Sequence, residues 1–452
     1  MRRSRRGRPG GRMSGESLGP RKCDVAVIGG GPAGSTAATL LASRGLQVAL
    51  FEKSRHPRFH IGESLLPANL PLFARLGVAD EIQAVAMEKW GAELVSPAHE
   101  QPTRLAFCEA WDTTQPFAYQ VRRSQFDEIL FRNAVRHGAN AFEGCRVRSV
   151  EFRADRSADL IVQQDDGGEQ HWHAGFVMDA SGRDTFLGNR LQAKHRNPRH
   201  NSAALYAHFR GAWRNEGRCG GDITIFWFEH GWFWYIPLAD GATSVGAVVW
   251  PYYLKTRTKP LDDFLMETIA LCPALASRLQ GAERVTDTEG TGNYSYVCDR
   301  THGPGYVLLG DAYTFIDPVF STGVLLAMES AVAGAEAVET CLRRPREAAR
   351  AMARFDRTVR RAPQRFSWFI YRVTTPAMRG LLMTPENYLR IKEAILALLA
   401  GDAIAQPLER LALVAFKALY YAKTLSDLPA ALRAWRRRRS VARDADAASA
   451  GA

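Results

Sequence analysis

What this sequence lacks narrows it before any motif is read. Its seven cysteines, at 23, 108, 145, 219, 272, 298 and 341, include no CxxC pair and no metal-ligand spacing, so neither a metal site nor dithiol chemistry is expected. Scattered cysteines suit reduced thiols, and a cytoplasmic location is expected from them. No run of about 18 apolar residues exists, so no membrane-spanning helix and no membrane partner are expected. The first twenty residues contain arginines but not the apolar stretch of a secretory or twin-arginine signal. Met13 is a candidate start, with the arginine run before it as an upstream extension. The formal charge of +12 is concentrated at the two ends. Arg2, Arg3, Arg5, Arg6, Arg8 and Arg12 stand at one end, and Arg433, Arg436 to Arg439 and Arg443 at the other. The body between them is nearly neutral, so the arginines read as solvated tails over 1–20 and 433–452, and no nucleic-acid partner is expected.

What is present is globular: 46% hydrophobic and 10% aromatic residues in 452, enough chain for two or three interlocked units. The organising stretch runs from Cys23 to Glu52. Asp24 to Ile28 is a short apolar strand, and Gly29, Gly31 and Gly34 follow at the dinucleotide-fingerprint spacing. The first two glycines permit a tight turn and close approach to a pyrophosphate; the third lets a helix from Pro32 to Arg44 pack on the strand. The phosphates are expected at that helix's N-terminus, where unpaired N–H groups and the helix dipole favour negative charge. Gly45 ends the helix, Val48 to Phe51 forms a second strand, and Glu52 is placed to accept hydrogen bonds from a ribose diol.

Further motifs follow in order. Pro57 to Pro67 reads PRFHIGESLLP and leads to a helix near Pro67, with Ser64 suited either to cap it or to meet a bound cofactor. Lys89 stands in MEKWGA, where an ordinary solvated lysine is the simplest reading. Tyr119 to Leu130 reads as a strand end followed by a helix, with Arg123 as a fork for phosphate or carbonyl oxygens. Asp179, in FVMDASG, is expected to be a turn residue closing the sheet. Ser202–Gly211, Ile223–Phe228, Trp232–Leu238 and Thr243–Trp250 alternate like antiparallel strands rich in aromatic and β-branched residues. With a period of two, Trp232, Trp234 and Ile236 of GWFWYIP share one face. Tyr294 to Val297 precedes GYVLLGDA (305–312) and FIDPVFSTGV (315–324), the latter entering a helix that runs through Met328 and Glu336. Helical spacings then recur over Gln364–Thr374, Glu386–Leu399 and Pro407–Lys423, separated by Pro376, Pro385, Gly401 and Pro407.

Taken together, the glycine turn, PRFHIGESLLP, MEKWGA, the WxWxIP signature and DPVFSTGV resemble the flavin-dependent halogenases over roughly Cys23 to Ala430. The resemblance implies an α/β fold: a Rossmann-like FAD-binding domain of the single-component flavin monooxygenase type, an antiparallel β-sheet substrate domain and a C-terminal helical region. The expected limits are 21–90, 116–190 and 285–345 for the first, 91–115 and 191–284 for the second, and 346–432 for the third. It implies reduced FAD, O2 and chloride or bromide making hypohalous acid, which Lys89 receives beside the substrate. Cofactor contacts are expected from Gly29, Gly31, Pro32, Ala33, Gly34, Glu52, Lys53, Ser64, Arg123, Asp311, Pro318 and Gly323, and halide at Thr322 and Gly323. Trp232, Trp234, Ile236 and Pro237 are expected to separate substrate from flavin.

The tryptophan-halogenating branch carries an acidic residue two positions before the threonine; Phe320 stands there in this chain. The form here resembles the branch acting on phenols, pyrroles and carrier-bound aromatic acids. With one dinucleotide fingerprint, a separate NAD(P)H-dependent flavin reductase is the expected partner. An FAD hydroxylase of the same fold is the alternative, followed by an isoprenoid-saturating reductase and a non-catalytic flavin-binding protein.

Overall fold

The structure, a computed structural model, describes residues 20–197, 202–292, 295–383, 390–401, 407–434 and 436. Residues 1–19, Tyr294, Pro385, the start of the helix expected over Glu386–Leu399 and residues 437–452 lie outside it. Helical backbone extends to Ala434, two residues into the tail expected to lack structure from 433.

The nucleotide grip folds as its sequence dictates. Strand β1 (Arg21–Ile28) leads through the glycine turn into helix α1 (Pro32–Ala42), and strand β2 (Val48–Glu52) returns beside β1. Gly45, at φ 79°, takes the left-handed conformation that ends the helix. Parallel pairing runs from Tyr306–Leu308 through Glu169–Asp179, β1 and β2 to Asn140–Glu143. A parallel sheet needs both faces covered. Here α1 packs against helix α2 (Arg123–Arg136) and helix α3 (Gly323–Arg343). Asp179, fully buried, accepts hydrogen bonds from Ser181 N and Leu187 N and so closes the strand it ends.

The segment Met87–Lys89, strand β3, pairs antiparallel with Ala118–Gln120 and stands between the two main sheets in sequence. The second sheet runs in the order Glu283–Arg284, Ala203–Arg210, Ala242–Val249, Gly231–Pro237, Ile223–Phe228, Gly91–Val95, Thr103–Ala106. The four strands expected between 202 and 250 are present and antiparallel. The sheet departs from pure antiparallel pairing where Ile223–Phe228, strand β4, runs parallel to Gly91–Val95. Strand β5 (Gly231–Pro237) keeps its period: Trp232, Trp234 and Ile236 join one apolar core, Phe233 and Tyr235 the core on the opposite face.

The C-terminal helices differ from the sequence reading. Helix α4 spans Ala348–Ile370 and passes through Pro363, where the spacing had suggested a start at Gln364. An interior proline removes one backbone hydrogen bond, but the apolar face continues across it. Met352, Phe355 and Val359 pack into the core of the parallel sheet, while Phe366, Phe369 and Ile370 pack into that of the aromatic sheet. Pro376, read as a separator, instead opens helix α5 (Pro376–Met383), a position where its missing N–H is harmless. Helices α6 (Ile391–Leu399) and α7 (Pro407–Ser426) complete the cover. No helix among the described residues is long and apolar enough to cross a membrane.

Candidate active site

The glycine turn shows how a backbone is cleared for a nucleotide. Gly29 sits at φ 101°, and a Cβ there would lie 2.4 Å from Ala180 O; at Gly34 it would lie 1.8 Å from Gly29 O. Both positions are closed by the protein's own backbone. Gly31, the N-cap of α1, differs: a Cβ would meet only Arg58 Nη2 at 3.6 Å. Its side adjoins open space, and no side chain caps the helix there, which leaves the first-turn N–H groups of Ala33 and Gly34, Pro32 having none, and the dipole available to an anion. Gly310, whose Cβ would lie 3.7 Å from that of Ala33, brings the Gly310–Ala312 turn and Asp311 to the same helix start. Burial raises the Asp311 carboxyl to about 6. A bare turn, an uncapped helix and a carboxyl able to donate or accept a hydrogen bond fit FAD.

Other expected cofactor residues are held by the protein itself. Glu52 accepts from Gly30 N at 2.8 Å and Ser54 N at 2.9 Å, so it pins the glycine turn. Lys53 forms a surface ion pair with Asp184. Arg123 places Nε and Nη2 on Asp127 and Nη1 on Ile61 O, which locks the Ile61–Gly62 loop to α2. Arg58 was not singled out by the sequence. It lies between Glu52 and Asp127, beside Gly31, with a buried Nε that has no partner.

Lys89 is not a solvated side chain. It is 2% exposed, and its Nζ donates to Ser64 Oγ and Leu65 O, both at 3.0 Å, with the Phe107 ring 5.2 Å away. Ser64 therefore caps no helix: it pairs with Gln120 and anchors the lysine. Burial disfavours the ammonium and lowers Lys89 to about 7, against a weaker pull from Asp222. Asp222 is itself tied to Arg104 and to Trp90 N.

Lys89 opens on an apolar cavity of about 40 Å³. Phe107, Ile225 and Trp227 form one side, Val319, Phe320 and Ser321 a second, and Val373, Leu382 and Leu399 of the helical cover a third. The motif after Phe315 thus reaches the lysine. Pro318–Phe320 is a single tight turn whose first N–H is accepted by Asp317, Ser321 is left-handed at φ 57°, and Thr322 is the N-cap of α3. Gly323 opens the helix and has no atom near its missing Cβ.

The aromatic wall differs from the expectation in one respect. The cavity is lined by Ile223, Ile225 and Trp227 of β4, not by Trp232, Trp234, Ile236 or Pro237 of β5. Trp232 and Trp234 are the cross-strand partners of Trp227 and Ile225, so they buttress the wall. The Trp234 indole donates to Ser244 Oγ at 3.1 Å and lies over Gly246, where any Cβ would come within 2.1 Å of the ring. The alternation Ile223–Ile225–Trp227 carried the signal for the lining, but the more distinctive Trp-rich motif lies one strand further on.

The chain matches the FAD binding domain family over residues 22–350. It is 34% identical to a tryptophan 2-halogenase of Chondromyces crocatus over 72% of this chain and 62% of that protein. It is 32% identical to a 1H-pyrrole-2-carbonyl-(peptidyl-carrier protein) chlorinase of Pseudomonas fluorescens over 70% of this chain and 76% of that one. Against the solved structure of the myxobacterial chondrochloren halogenase the identity is 34%, the coverage 87% of this chain and 97% of that chain, and the TM-score 0.76. A nucleotide turn cleared for FAD, a buried amine on an apolar cavity and these likenesses converge: the chain belongs to the flavin-dependent halogenases.

Proposed function

We propose that this protein uses FADH2, O2 and chloride or bromide to halogenate an electron-rich aromatic ring, a phenol, a pyrrole or a carrier-tethered aromatic acid. Its single dinucleotide fingerprint supports a separate NAD(P)H-dependent flavin reductase as the source of reduced cofactor. Bound FAD, held by the glycine turn, Asp311 and Pro318, supplies the redox chemistry that turns halide and O2 into hypohalous acid. Thr322 and Gly323 hold the halide with the first N–H groups of α3, which have no helical acceptor.

Lys89 carries the second half. At about 7, roughly half of the amine is neutral and nucleophilic at neutral pH. The neutral amine attacks hypochlorous acid: an N–Cl bond replaces N–H, and hydroxide leaves with the proton as water. The ring then takes chlorine from nitrogen, and its displaced proton restores the amine. Ser64 Oγ and Leu65 O orient Nζ, and the apolar walls exclude water that would otherwise compete.

The observation that carries this reading is the fully buried Lys89 facing the cavity bounded by Val319–Ser321. Phe320 in that turn supports the phenol, pyrrole or carrier branch, as does the likeness to the pyrrole-carrier chlorinase. The test combines purified protein with FAD, a flavin reductase, NADH, O2 and halide, and traps the product with monochlorodimedone or an activated phenol. Enzyme-directed ring halogenation that is lost in Lys89→Ala, while monochlorodimedone still captures hypohalous acid, supports the assignment. Hydrogen peroxide or a hydroxylated ring, whatever the halide, overturns it.

A further inference from the structure

Two donors beside the cavity have nothing to bond. Trp227 forms part of the cavity wall and is 1% exposed, and its indole N–H is buried without an acceptor. The Arg379 guanidinium lies 5.7 Å from the Trp227 ring, with Nε likewise buried and unpartnered. Attraction of a cation to an aromatic face explains the stacking. It leaves both N–H groups without an acceptor, which is unfavourable for buried donors.

Other arginines of this protein show the usual arrangement. Arg123 pairs with Asp127, Arg278 with Glu93 and Arg104 with Asp222. Among the described residues, no carboxylate lies in ion-pair distance of Arg379, and only burial acts on its ionisation, lowering its pKa. Its place in the fold is also pointed. Arg379 lies one turn before Leu382 on the same face of α5, and Leu382 lines the cavity. The end of α5 is fastened to the sheet by Thr103 Oγ1, which donates to Met383 O at 2.6 Å.

We infer that Arg379 and the Trp227 indole form a subsite for an anionic oxygen on the aromatic substrate. The inference rests on reading the Lys89 cavity as the substrate site. Two sources share the chemistry, a ring carboxylate and a phenolate. A carboxylate accepts from guanidinium and indole together and anchors the ring. A phenolate accepts the same two bonds, and holding it ionised enriches the ring for electrophilic attack. A bridging water would satisfy the N–H groups but leave the charge unbalanced. The subsite favours a substrate that arrives with a free anionic oxygen over one whose acid is masked as a thioester.

The test is calorimetric and needs no turnover. FAD-loaded protein is titrated with 4-hydroxybenzoate, its methyl ester and 4-methoxybenzoate, and with pyrrole-2-carboxylate and its methyl ester. Masking the relevant oxygen is expected to weaken binding about 10–100-fold, the scale of a charged hydrogen bond. An ester penalty identifies a carboxylate, and a methoxy penalty a phenolate. Arg379→Gln is expected to abolish the penalty, Arg379→Lys to keep part of it, and Trp227→Phe to reduce it a few-fold. Should Arg379→Gln fail to fold, Arg379→Lys and Trp227→Phe carry the comparison.

Equal binding of masked and unmasked probes, no binding by any of them, or a penalty that survives the substitutions would overturn the subsite. So would bromide binding that is lost in Arg379→Gln without any discrimination between acid and ester. Hypohalous acid formation, followed with monochlorodimedone, reports the halogenase reading separately, so either conclusion can fail while the other stands.

Discussion

The turn after β1 gathers Gly29, Gly31 and Gly34 within six residues, whereas the cavity at Lys89 draws on segments from Leu66 to Leu399. The first region works with backbone. It removes side chains, leaves N–H groups bare and uses Glu52 to hold the turn. The second works with side chains, surrounding one amine with apolar walls until its charge becomes expensive. Nucleotide binding needs a shape that a short stretch can encode alone. Controlled use of a reactive halogen needs a dry chamber, and only distant elements can close one.

The comparison breaks most sharply at Lys89 itself. Replacement by alanine is expected to lower ring halogenation by about 10²–10⁴-fold, the range for a positioned catalytic group. FAD binding, followed by flavin fluorescence, is expected to stay within about two-fold, and hypohalous acid still escapes to a trap. Loss of FAD binding in this variant would mean that the two regions are one unit.

Glycine substitutions separate tasks within the first region. Gly34→Ala forces a Cβ to within 1.8 Å of backbone oxygen, and strain of that kind is expected to destabilise the fold by about 3 kcal/mol or more, visible in thermal melting without cofactor. Gly31→Ala, with 3.6 Å to its nearest neighbour and an ordinary extended backbone, is expected to melt near wild type and lose FAD affinity at least about ten-fold. Equal melting losses in both would show that Gly31 serves packing rather than the pyrophosphate.

Acid titration sharpens the second region. Lys89 has its pKa lowered from 10.5 to about 7, so between those values the unfolded chain binds more protons and stability rises with pH; below 7 the penalty is fully present. Lys89→Met is expected to flatten that slope in denaturant titrations across pH 7 to 10. Halogenation at saturating hypohalous acid is expected to rise through about pH 7 as the amine loses its proton. Phe320→Glu, which adds a carboxylate to the same cavity, is expected to move this limb upward by about one unit. An unmoved limb would assign it to another group.

These contrasts also explain what the sequence could disclose. Strand, turn, helix and second strand of the grip were legible because they are contiguous, and the alternation of Trp232, Trp234 and Ile236 because a strand has a period of two. Lys89 was legible only through resemblance, since its burial depends on Ser64, Leu65 and Phe107, none adjacent in sequence. Trp227 and Arg379 escaped because their pairing joins a sheet to a helix more than 150 residues later. The spacing placed the start of α4 at Gln364, but its apolar face continues back through Pro363 to Met352 and outweighs one missing hydrogen bond.

Lys53 supplies the mildest test of where the first region ends. The resemblance implied a cofactor contact there, yet its ammonium pairs with Asp184 at the surface, both side chains about half exposed. Solvent-exposed pairs contribute about 0–1 kcal/mol and weaken with salt. Lys53→Ala is therefore expected to shift the melting temperature by no more than about 2 °C and FAD affinity by less than about three-fold at physiological salt. Asp184→Asn, which releases the lysine without removing its charge, discriminates further. If Lys53 is merely a surface partner, the two variants behave alike. If it turns to the cofactor once freed, Asp184→Asn binds FAD more tightly than wild type and Lys53→Ala more weakly, and the cofactor site extends beyond β2 to the surface.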